Sequence, residues 1–294
     1  MKEVTDMKLP ILTKIIRTTA YILAALGALY LAMIRPRIFR RPRRSHFKKW
    51  LYAHRGLHDN ASDAPENSLA AFRKAVEEGY GIELDIQLTK DKVPVVFHDY
   101  TLERACGVVG NVNDYTYDEL QEFYLFGSQE RIPRFEDVLR LVDGRVPLIV
   151  ELKIEFKDLS LCPLADKLLR SYRGMYCIES FNPLGLWWYR CHRGDVMRGQ
   201  LADAFWQEGE YKGLLHLALQ NLLANFISRP DFIAYHNKYP RTLSRRICCD
   251  TMGAMGAAWT IRSQRELDRA RKDFDIFIFE GFRPAVFRDR KVCG

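Results

Sequence analysis

Two histidines and three carboxylates stand out in this 294-residue sequence because each lies in or at the end of a short apolar run. His54 ends the run WLYAH, and His98 ends the run PVVFH. Glu83 and Asp85 lie two residues apart in IELDIQL, and Glu151 lies in PLIVEL. Three carboxylates that meet in one place are the oxygen ligands that a hard divalent cation such as Mg²⁺ or Ca²⁺ prefers. Two histidines beside such a site are suited to general acid and base catalysis.

The spacing of Glu83 and Asp85 determines which way their side chains point. In a β-strand, residues i and i+2 lie on the same side, so the two carboxylates share one side and their apolar neighbours face the other. Two buried carboxylates on one side are costly unless they are paired or bind a metal. A single acidic residue or histidine in such a place is more often a salt-bridge partner or a core residue. Their combination at four strand ends favours a functional site.

The body of the chain alternates short apolar runs with helix-like stretches. We predict nine strands, at 50–54, 82–88, 94–98, 147–152, 175–180, 196–201, 231–235, 256–260 and 275–279. Helical patterns lie between most of them, at 67–78, 134–142, 158–172, 182–192, 210–227, 239–249 and 263–272. Strands that alternate with helices are typical of a parallel sheet built from βαβ units.

The second and third predicted strands, 82–88 and 94–98, are joined by only five residues. This connection is too short for a parallel crossover and therefore predicts a hairpin. The other eight strands, in a body of about 245 residues, match a (β/α)₈ barrel, which usually has roughly 250. We therefore predict an α/β fold, a (β/α)₈ TIM-like barrel with a small insertion, over 50–294. A doubly wound open sheet is the alternative, but the sequence lacks the G-x-G-x-x-G loop that usually accompanies it.

The N-terminal part differs from the body. Residues 18–34 carry no charge and form a stretch close to the roughly 20 apolar residues that span a bilayer. A cleaved signal peptide is disfavoured because the apolar stretch continues directly into Arg-Pro-Arg, without a small-residue cleavage site. A buried amphipathic helix is disfavoured because the stretch has no polar face. We predict three N-terminal segments: a short tail at 1–14, a transmembrane helix at 15–34 and a basic juxtamembrane linker at 35–49.

The positive charge of the chain is concentrated in the same region. Residues 1–49 have twelve basic and two acidic residues, a net charge of +10, whereas residues 50–294 have 33 and 35, a net charge of −2. A nearly neutral body disfavours nucleic-acid binding. The basic linker predicts a single-pass membrane protein with its body in the cytoplasm and the linker on anionic lipid headgroups. A flexible linker that binds no lipid is the alternative. Seven cysteines at irregular spacing agree with a reducing compartment.

Residues 53–104 closely resemble the glycerophosphodiester phosphodiesterases, whose patterns are HRG, PEN(T/S)xxAF and ELDVxxTxDxxxVxxHD. Further positions look like landmarks of this family: the IP at 132–133, the ELK at 151–153, the SF at 180–181 and the WT at 259–260. The resemblance covers essentially all of 50–290 and is loosest after residue 200. It implies a (β/α)₈ barrel with a small insertion and a divalent metal ion, usually Mg²⁺ or Ca²⁺.

The resemblance also implies roles for single residues. The matching positions are the acid and base histidines His54 and His98, the metal carboxylates Glu83, Asp85 and Glu151, and the cationic groups Arg55 and Lys153 near the phosphate. Asn67, in the PEN motif, is either a further site residue or the cap of the helix that follows, where Asn is favoured. The last strand region reads IFIFEGFRP where the family commonly has Thr-Asp-x-Pro, and we expect Arg283 there to be a surface residue.

The activity that the resemblance implies is hydrolysis of glycerophosphodiesters to glycerol phosphate and an alcohol. Attachment to a membrane favours a close variant, a lysophospholipase D-type activity on membrane lysophospholipids. A non-catalytic lipid- or phosphate-binding scaffold is the alternative of another class, but a scaffold would be expected to have lost part of the site. The unusually apolar stretch 211–227 is either a barrel helix packed on the sheet or a membrane-facing lip that admits lipid, and packing is the simpler expectation.

Overall fold

The strands lie within two residues of where the apolar runs predict them. The computed structural model describes residues 2–209 and 213–284. Its strands are β1 (Leu51–His54), β2 (Gly81–Leu88), β3 (Pro94–Val96), β4 (Leu148–Leu152), β5 (Tyr176–Ser180), β6 (Arg198–Ala202), β7 (Phe232–His236), β8 (Met255–Ile261) and β9 (Ile276–Phe279). Almost all of their residues are buried, as expected for strands that are covered on both faces.

Eight of these strands form a closed parallel barrel. Their order is β1-β9-β8-β7-β6-β5-β4-β2, and β1 pairs with β2 to close the ring. Where the ring closes, Ala53 of β1 pairs with Ile82 of β2 on one side and with Phe279 of β9 on the other. The predicted (β/α)₈ architecture is therefore confirmed. Because all eight strands are parallel, their C-terminal ends meet at one rim, which we call the mouth.

The described helices begin before the barrel and then alternate with its strands. They are α1 (Lys2–Ile34), α2 (Leu69–Glu77), α3 (Glu103–Cys106), α4 (Tyr117–Leu120), α5 (Phe135–Val142), α6 (Leu161–Ser171), α7 (Pro183–His192), α8 (Phe205–Glu208), α9 (Leu214–Gln220), α10 (Asn225–Ser228), α11 (Leu243–Arg246) and α12 (Gln264–Ala270). Short 3₁₀ turns lie at Phe47–Lys49, Val112–Asp114 and Leu125–Gly127, and a π-helical turn lies at Ile247–Thr251.

The predicted hairpin and insertion are both present. Strand β3 runs antiparallel to β2, with Ile86 opposite Val96. The chain from β3 to α5 then forms an excursion that contains α3 and α4 and has its own apolar core, in which Phe97, Leu120 and Ile132 are buried. This excursion is the small insertion, and it carries His98 to the mouth.

The predicted helix at 210–227 is instead two shorter helices, as far as the described residues 213–227 show. Helices α9 and α10 are separated by residues 221–224. Leu222 has a φ of +59°, in the left-handed region that an α-helix does not contain. Its side chain is nevertheless fully buried. The break therefore turns this apolar residue inward, which an uninterrupted helical pattern did not anticipate.

Helix α1 is longer than the predicted transmembrane segment. It runs from Lys2 to Ile34, so residues 2–14 of the predicted tail and the predicted helix 15–34 lie in one element. Charged residues limit insertion into a membrane but not helix formation, because Lys and Glu are good helix formers. Within α1, Leu12–Ile34 is long and apolar enough to cross a membrane, a property that N-terminal signal sequences share. Side chains 12–29 are exposed, and Ile34 at the end of the helix is buried.

The basic residues after α1 contact the barrel. We call residues 35–47 the strap, because they run across the N-terminal ends of the strands. Arg37 lies 3.5 Å from the Asp231 carboxylate, before β7. Arg41 donates to the carbonyl oxygen of Gly253, before β8, at 2.8 Å. These arginines hold the strap on the protein, which a flexible linker would not do.

The barrel interior changes from apolar to charged along its axis. At the N-terminal end, Phe47 from the end of the strap packs with Tyr52, Ile149 and Phe232 in a buried apolar cluster. At the C-terminal end, the inward-facing side chains are mostly polar or aromatic. The barrel interior therefore becomes polar toward the mouth, where a (β/α)₈ barrel positions functional residues.

Candidate active site

The structure brings the three predicted carboxylates together at the mouth. Glu83 and Asp85 point inward from β2, and Glu151 of β4 stands opposite Asp85 in the register. One carboxylate oxygen from each lies within 4.8 Å of the other two, and all three residues are buried. His54 at the end of β1 is adjacent, with its Nε2 3.9 Å from Glu83 Oε2.

The three carboxylates form a strongly repulsive group. Burial, together with the charges of Asp85 and Glu179, raises the pKa of Glu83 well above its usual range. Burial is also the main cause that raises the pKa of Glu151. Buried like charges at this separation are costly unless a cation shares them. Because every donor is a carboxylate oxygen, the cluster fits a hard divalent cation.

Lys153 and Asn67 both hold Asp85. The Lys153 ammonium lies 3.0 Å from Asp85 Oδ1 and 2.8 Å from Glu151 Oε1. Burial opposes its charge, but these two carboxylates raise the pKa of Lys153 above its usual value, so it stays protonated. Asn67 donates its amide to Asp85 Oδ2 at 2.9 Å. The orientation of Asp85 is therefore fixed from two sides.

The structure distinguishes between the two expectations for Asn67. The helix after it, α2, is capped by Ser68, whose hydroxyl accepts from the backbone N–H of Ala71 at 3.1 Å. Asn67 itself has a φ of +57° and is buried with its side chain toward Asp85. The PEN sequence thus supplies an amide to the site at Asn67, and the cap is the next residue.

Arg55 joins the carboxylate cluster to the insertion. Its Nε lies 3.5 Å from Asp85 Oδ2, and its backbone N–H donates to Glu83 Oε2 at 3.2 Å. Its guanidinium also donates to Glu66 at 2.7 Å, and Glu66 accepts from Arg104 of α3 at 2.6 Å. Although burial acts in the opposite direction, Arg104 and Arg55 lower the pKa of Glu66 to about 2. Glu66 is therefore ionised between the two arginines at neutral pH.

Each of the two histidines has a carboxylate on its Nδ1 atom. His54 Nδ1 lies 2.5 Å from Glu280 Oε2, and His98 Nδ1 lies 2.6 Å from Asp99 Oδ1. In a neutral ring this contact makes Nδ1 the proton donor, which leaves the lone pair on Nε2. Both rings are thereby set in the tautomer that can accept a proton at Nε2.

The charge states of the buried pair support this arrangement. Burial, with the charge of Arg55, lowers the pKa of His54 to about 4. Burial opposes the ionisation of Glu280, but the hydrogen bond with His54 and the charge of Arg262 lower its pKa to about 2. Arg262 donates to Glu280 Oε1 at 2.7 Å. At neutral pH a neutral imidazole therefore donates to an ionised carboxylate.

Sequence reasoning missed Glu280, Glu66 and the contact that Asp99 makes. Glu280 follows β9, at the point where the sequence departs from the family ending, so its position at the end of a barrel strand was the available signal. Glu66 and Asp99 lie inside the PEN and HD motifs but had no assigned role. Arg283 forms an ion pair with Glu78 at 2.9 Å and is largely exposed, as expected for a surface residue.

The opposite half of the mouth is aromatic. Phe181, after β5, lies edge-on to Trp259 of β8 with ring centroids 5.8 Å apart. The ring centroids of Phe205, in α8, and Phe181 are 6.1 Å apart, and those of His236, in β7, and Trp259 are 5.7 Å apart. The mouth therefore has a charged half, to which β1, β2, β4, β9 and the insertion contribute, and an aromatic half, whose rings come from the chain between β5 and β8.

Comparison with known proteins agrees with this geometry. The model of the glycerophosphoryl diester phosphodiesterase family matches residues 54–272. A glycerophosphodiester phosphodiesterase of Caldanaerobacter subterraneus subsp. tengcongensis is 35% identical over 151 residues, which are 47% of this chain and 60% of that protein. Human glycerophosphodiester phosphodiesterase 1 is 44% identical over 71 residues, 24% of this chain and 20% of that protein. The matched part thus spans 60% or less of these relatives.

Solved structures show the same fold. A phosphodiesterase of Oleispira antarctica, in complex with the product sn-glycerol-3-phosphate, has a TM-score of 0.63 and 22% identity, covering 78% of this chain and 92% of that one. A glycerophosphodiester phosphodiesterase of Thermotoga maritima has a TM-score of 0.59 and 22% identity, covering 78% and 93%. With the family model matched from the end of β1 to beyond α12, the chain belongs to the glycerophosphoryl diester phosphodiesterase family.

Proposed function

We propose that this protein hydrolyses glycerophosphodiesters to glycerol phosphate and an alcohol, using a Mg²⁺ or Ca²⁺ ion held by Glu83, Asp85 and Glu151. The observation that carries the proposal is the pair of histidines, His54 and His98, each with a carboxylate on Nδ1, beside a buried three-carboxylate cluster. Family membership and the activities of the named relatives support the substrate class.

The residues of the chain supply phosphate binding and proton transfer in this proposal. Arg55 and Lys153 lie beside the cluster, where they can bind the phosphate oxygens. A bound divalent ion would neutralise the charge of the phosphodiester and stabilise the additional charge of the transition state.

Two proton transfers complete the reaction. One histidine takes the proton of the glycerol 2-hydroxyl as its oxygen bonds to phosphorus. The other gives a proton to the departing alcohol as the phosphorus–oxygen bond to it breaks. Water then opens the resulting cyclic phosphate with the two roles exchanged, which returns each histidine to its starting state. The Nδ1 contacts to Glu280 and Asp99 would hold both rings with Nε2 toward the reacting atoms.

The test is an assay of the purified full chain with glycerophosphocholine, glycerophosphoethanolamine and a lysophospholipid, with and without EDTA. We expect release of the alcohol that stops when EDTA removes the metal. A His54→Ala/His98→Ala variant is the matched control because it leaves the three carboxylates in place. Failure to release alcohol from any substrate, with retained lipid binding, would instead support a non-catalytic scaffold.

We also propose that α1 anchors the protein as a single-pass membrane helix, with the barrel in the cytoplasm. The 23-residue apolar segment Leu12–Ile34 and the excess of positive charge after it support this arrangement. A reporter fused after Gly294 should show a cytoplasmic location, and the intact chain should resist alkaline extraction from membranes. A shortened chain in the soluble fraction would identify a cleaved signal sequence instead.

Membrane attachment makes a lysophospholipase D-type activity the second candidate. A 1-acyl lysophospholipid has the same free glycerol 2-hydroxyl next to a phosphodiester, so the same residues would act on it. The observation that favours it is the unburied apolar part of α1, because a soluble substrate does not require an enzyme at the membrane. The substrate comparison in the assay above separates the two candidates.

A further inference from the structure

We propose that one side of the barrel, built from α7 to α11, rests on the lipid bilayer beside α1. This inference rests on the proposed membrane anchoring. The surface is defined by six exposed apolar side chains, which we call the bilayer surface: Trp187, Trp206, Leu214, Leu215, Phe226 and Leu243. Its occupant is a lipid bilayer.

The side chains of this surface are unusually exposed for their size. Leu214 is 84% exposed, Leu215 is 67% exposed and Leu243 is 65% exposed. Helices of a barrel normally direct such residues toward the strands, so large apolar side chains exposed on successive helices of one side indicate a binding surface. Two tryptophans belong to the same set, and indole rings favour the membrane–water interface.

The surface is continuous with the point where α1 leaves the barrel. The carbonyl oxygen of Ile34, at the end of α1, accepts from the Asn225 amide of α10 at 2.8 Å. Phe226 is the next residue of α10. The Ile34 carbonyl oxygen also accepts from Cys248 Sγ at 3.1 Å, in the turn that directly follows α11 and its Leu243. The helices that carry Phe226 and Leu243 therefore lie at the exit of α1.

The strap fixes the direction in which α1 leaves. Arg37 and Arg41 are held by Asp231 and Gly253, and Ile34 is fully buried, so the junction has several anchoring contacts. Residues 12–29 of α1 are exposed, whereas Ile34 at its end is buried against the barrel. A bilayer that α1 crosses must therefore begin at the side of the barrel that carries α10 and α11.

The bilayer surface also reaches the aromatic half of the mouth. Leu214 and Leu215 belong to α9, which follows the C-terminal end of β6. The ring centroid of His216, the next residue, lies 5.5 Å from that of Phe205. The ring centroid of Phe205 in turn lies 6.1 Å from that of Phe181 at the mouth. Apolar and aromatic side chains thus connect the bilayer surface with the site. A phosphodiester that carries one acyl chain fits this path better than a fully soluble one.

The tryptophan content of the chain allows a direct test. None of the five tryptophans lies in residues 1–49, so α1 and the strap contribute no tryptophan fluorescence. The full chain is reconstituted into phosphatidylcholine nanodiscs with and without shallow bromine atoms on the acyl chains. We expect brominated lipid to quench the fluorescence, and a Trp187→Phe/Trp206→Phe variant to lose most of that quenching. Quenching that persists in the double variant would overturn the assignment.

A second measurement tests whether the bilayer surface contributes to the turnover of a lipid substrate. Leu214→Asp/Leu215→Asp should lower kcat/KM for a bilayer-embedded lysophospholipid by roughly ten-fold or more, because burial of two leucines in lipid is lost. Turnover of glycerophosphocholine should be unchanged. Val109→Asp is the matched control, since Val109 is 82% exposed but lies on the insertion. Unchanged turnover of both substrates, or an equal loss on both, would contradict the proposed path.

Failure of this inference can be told from failure of the anchoring. If the full chain does not float with vesicles, the membrane anchor is refuted and the bilayer surface with it. If the chain floats but brominated lipid does not quench, only the bilayer surface is refuted. If a Leu215→Cys variant forms a disulfide-linked dimer through position 215 on oxidation in the nanodiscs, a second copy covers this side instead.

Discussion

The two histidines of the site are held by the same kind of contact, but the contacting residues come together in two different ways. Each Nδ1 contacts a carboxylate, and an arginine contacts that carboxylate from the other side. His98, Asp99 and Arg104 lie within seven consecutive residues of the insertion, with Arg104 Nε 2.6 Å from Asp99 Oδ2. His54 and Glu280 are 226 residues apart and meet only because β1 pairs with β9.

This difference shows that local and global structure contribute separately to the proposed catalytic pair. The Asp99 pair can form wherever the insertion folds, because its members are neighbours in the chain. The Glu280 pair requires barrel closure and lies deeper, with the His54 side chain 14% exposed against 31% for His98. We therefore expect the same chemical change to cost more activity in the buried pair than in the exposed one.

The largest effect should come from removing either imidazole. His54→Ala and His98→Ala should each lower kcat on glycerophosphocholine by about 10²–10⁴-fold, because each removes one of the two proton-transfer groups. Calorimetric titration with Mg²⁺ or Ca²⁺ is the control and should still show binding, since the carboxylates are unchanged. A loss below ten-fold for one of them would show that the two pairs do not share the reaction.

Glu280→Gln should have the next largest effect. A buried hydrogen bond to a charged group contributes about 1.5–3 kcal/mol, which corresponds to roughly 10–150-fold in rate. We expect kcat to fall and KM to change little, because Glu280 contacts His54 and not the phosphate position. Glu280→Asp keeps a carboxylate and should recover part of kcat. Equal losses in both variants would argue that Glu280 acts only through packing.

Asp99→Asn should have a smaller effect than Glu280→Gln. His98 is more exposed, so water can replace part of the lost contact, and a typical net hydrogen bond contributes about 1 kcal/mol, or roughly 5-fold in rate. The same glycerophosphocholine assay gives the comparison. A loss for Asp99→Asn that exceeds the loss for Glu280→Gln would reverse the ranking and show that burial does not set the importance of the two contacts.

The distinction between local and global pairs also explains what sequence analysis could predict. Glu83, Asp85 and Glu151 lie in strands whose apolar patterns define both the strand and its inward side, so their meeting at one rim follows from the barrel. The predicted barrel places Glu280 at the end of the last strand, but strand patterns alone do not pair it with His54. Its contact depends on the register of β1 and β9, which strand patterns do not fix.

The N-terminal region and the helix layer were harder to predict for a different reason. Hydropathy and charge identified an apolar helix and a basic segment but contained no information on their contacts with the barrel. The hydrogen bond of Arg41 with Gly253 joins residues 212 positions apart. The break between α9 and α10 likewise follows from burial of Leu222 against the core, a tertiary contact that overrides a continuous helical pattern.

The smallest effects on kcat should come from replacing the two arginines that contact the carboxylates of the histidine pairs. Arg104 contacts Glu66 as well as Asp99, so Arg104→Ala weakens the link to Arg55 and should lower kcat by up to about 5-fold, the equivalent of one net hydrogen bond. Arg262 is 60% exposed, and exposed ion pairs contribute about 0–1 kcal/mol, so Arg262→Ala should change kcat by roughly 2-fold or less. Steady-state assays of both variants at two salt concentrations provide the measurement. A larger loss of kcat for Arg262→Ala than for Arg104→Ala would contradict this order and would mean that the exposed ion pair of Arg262 matters more than the contacts of Arg104.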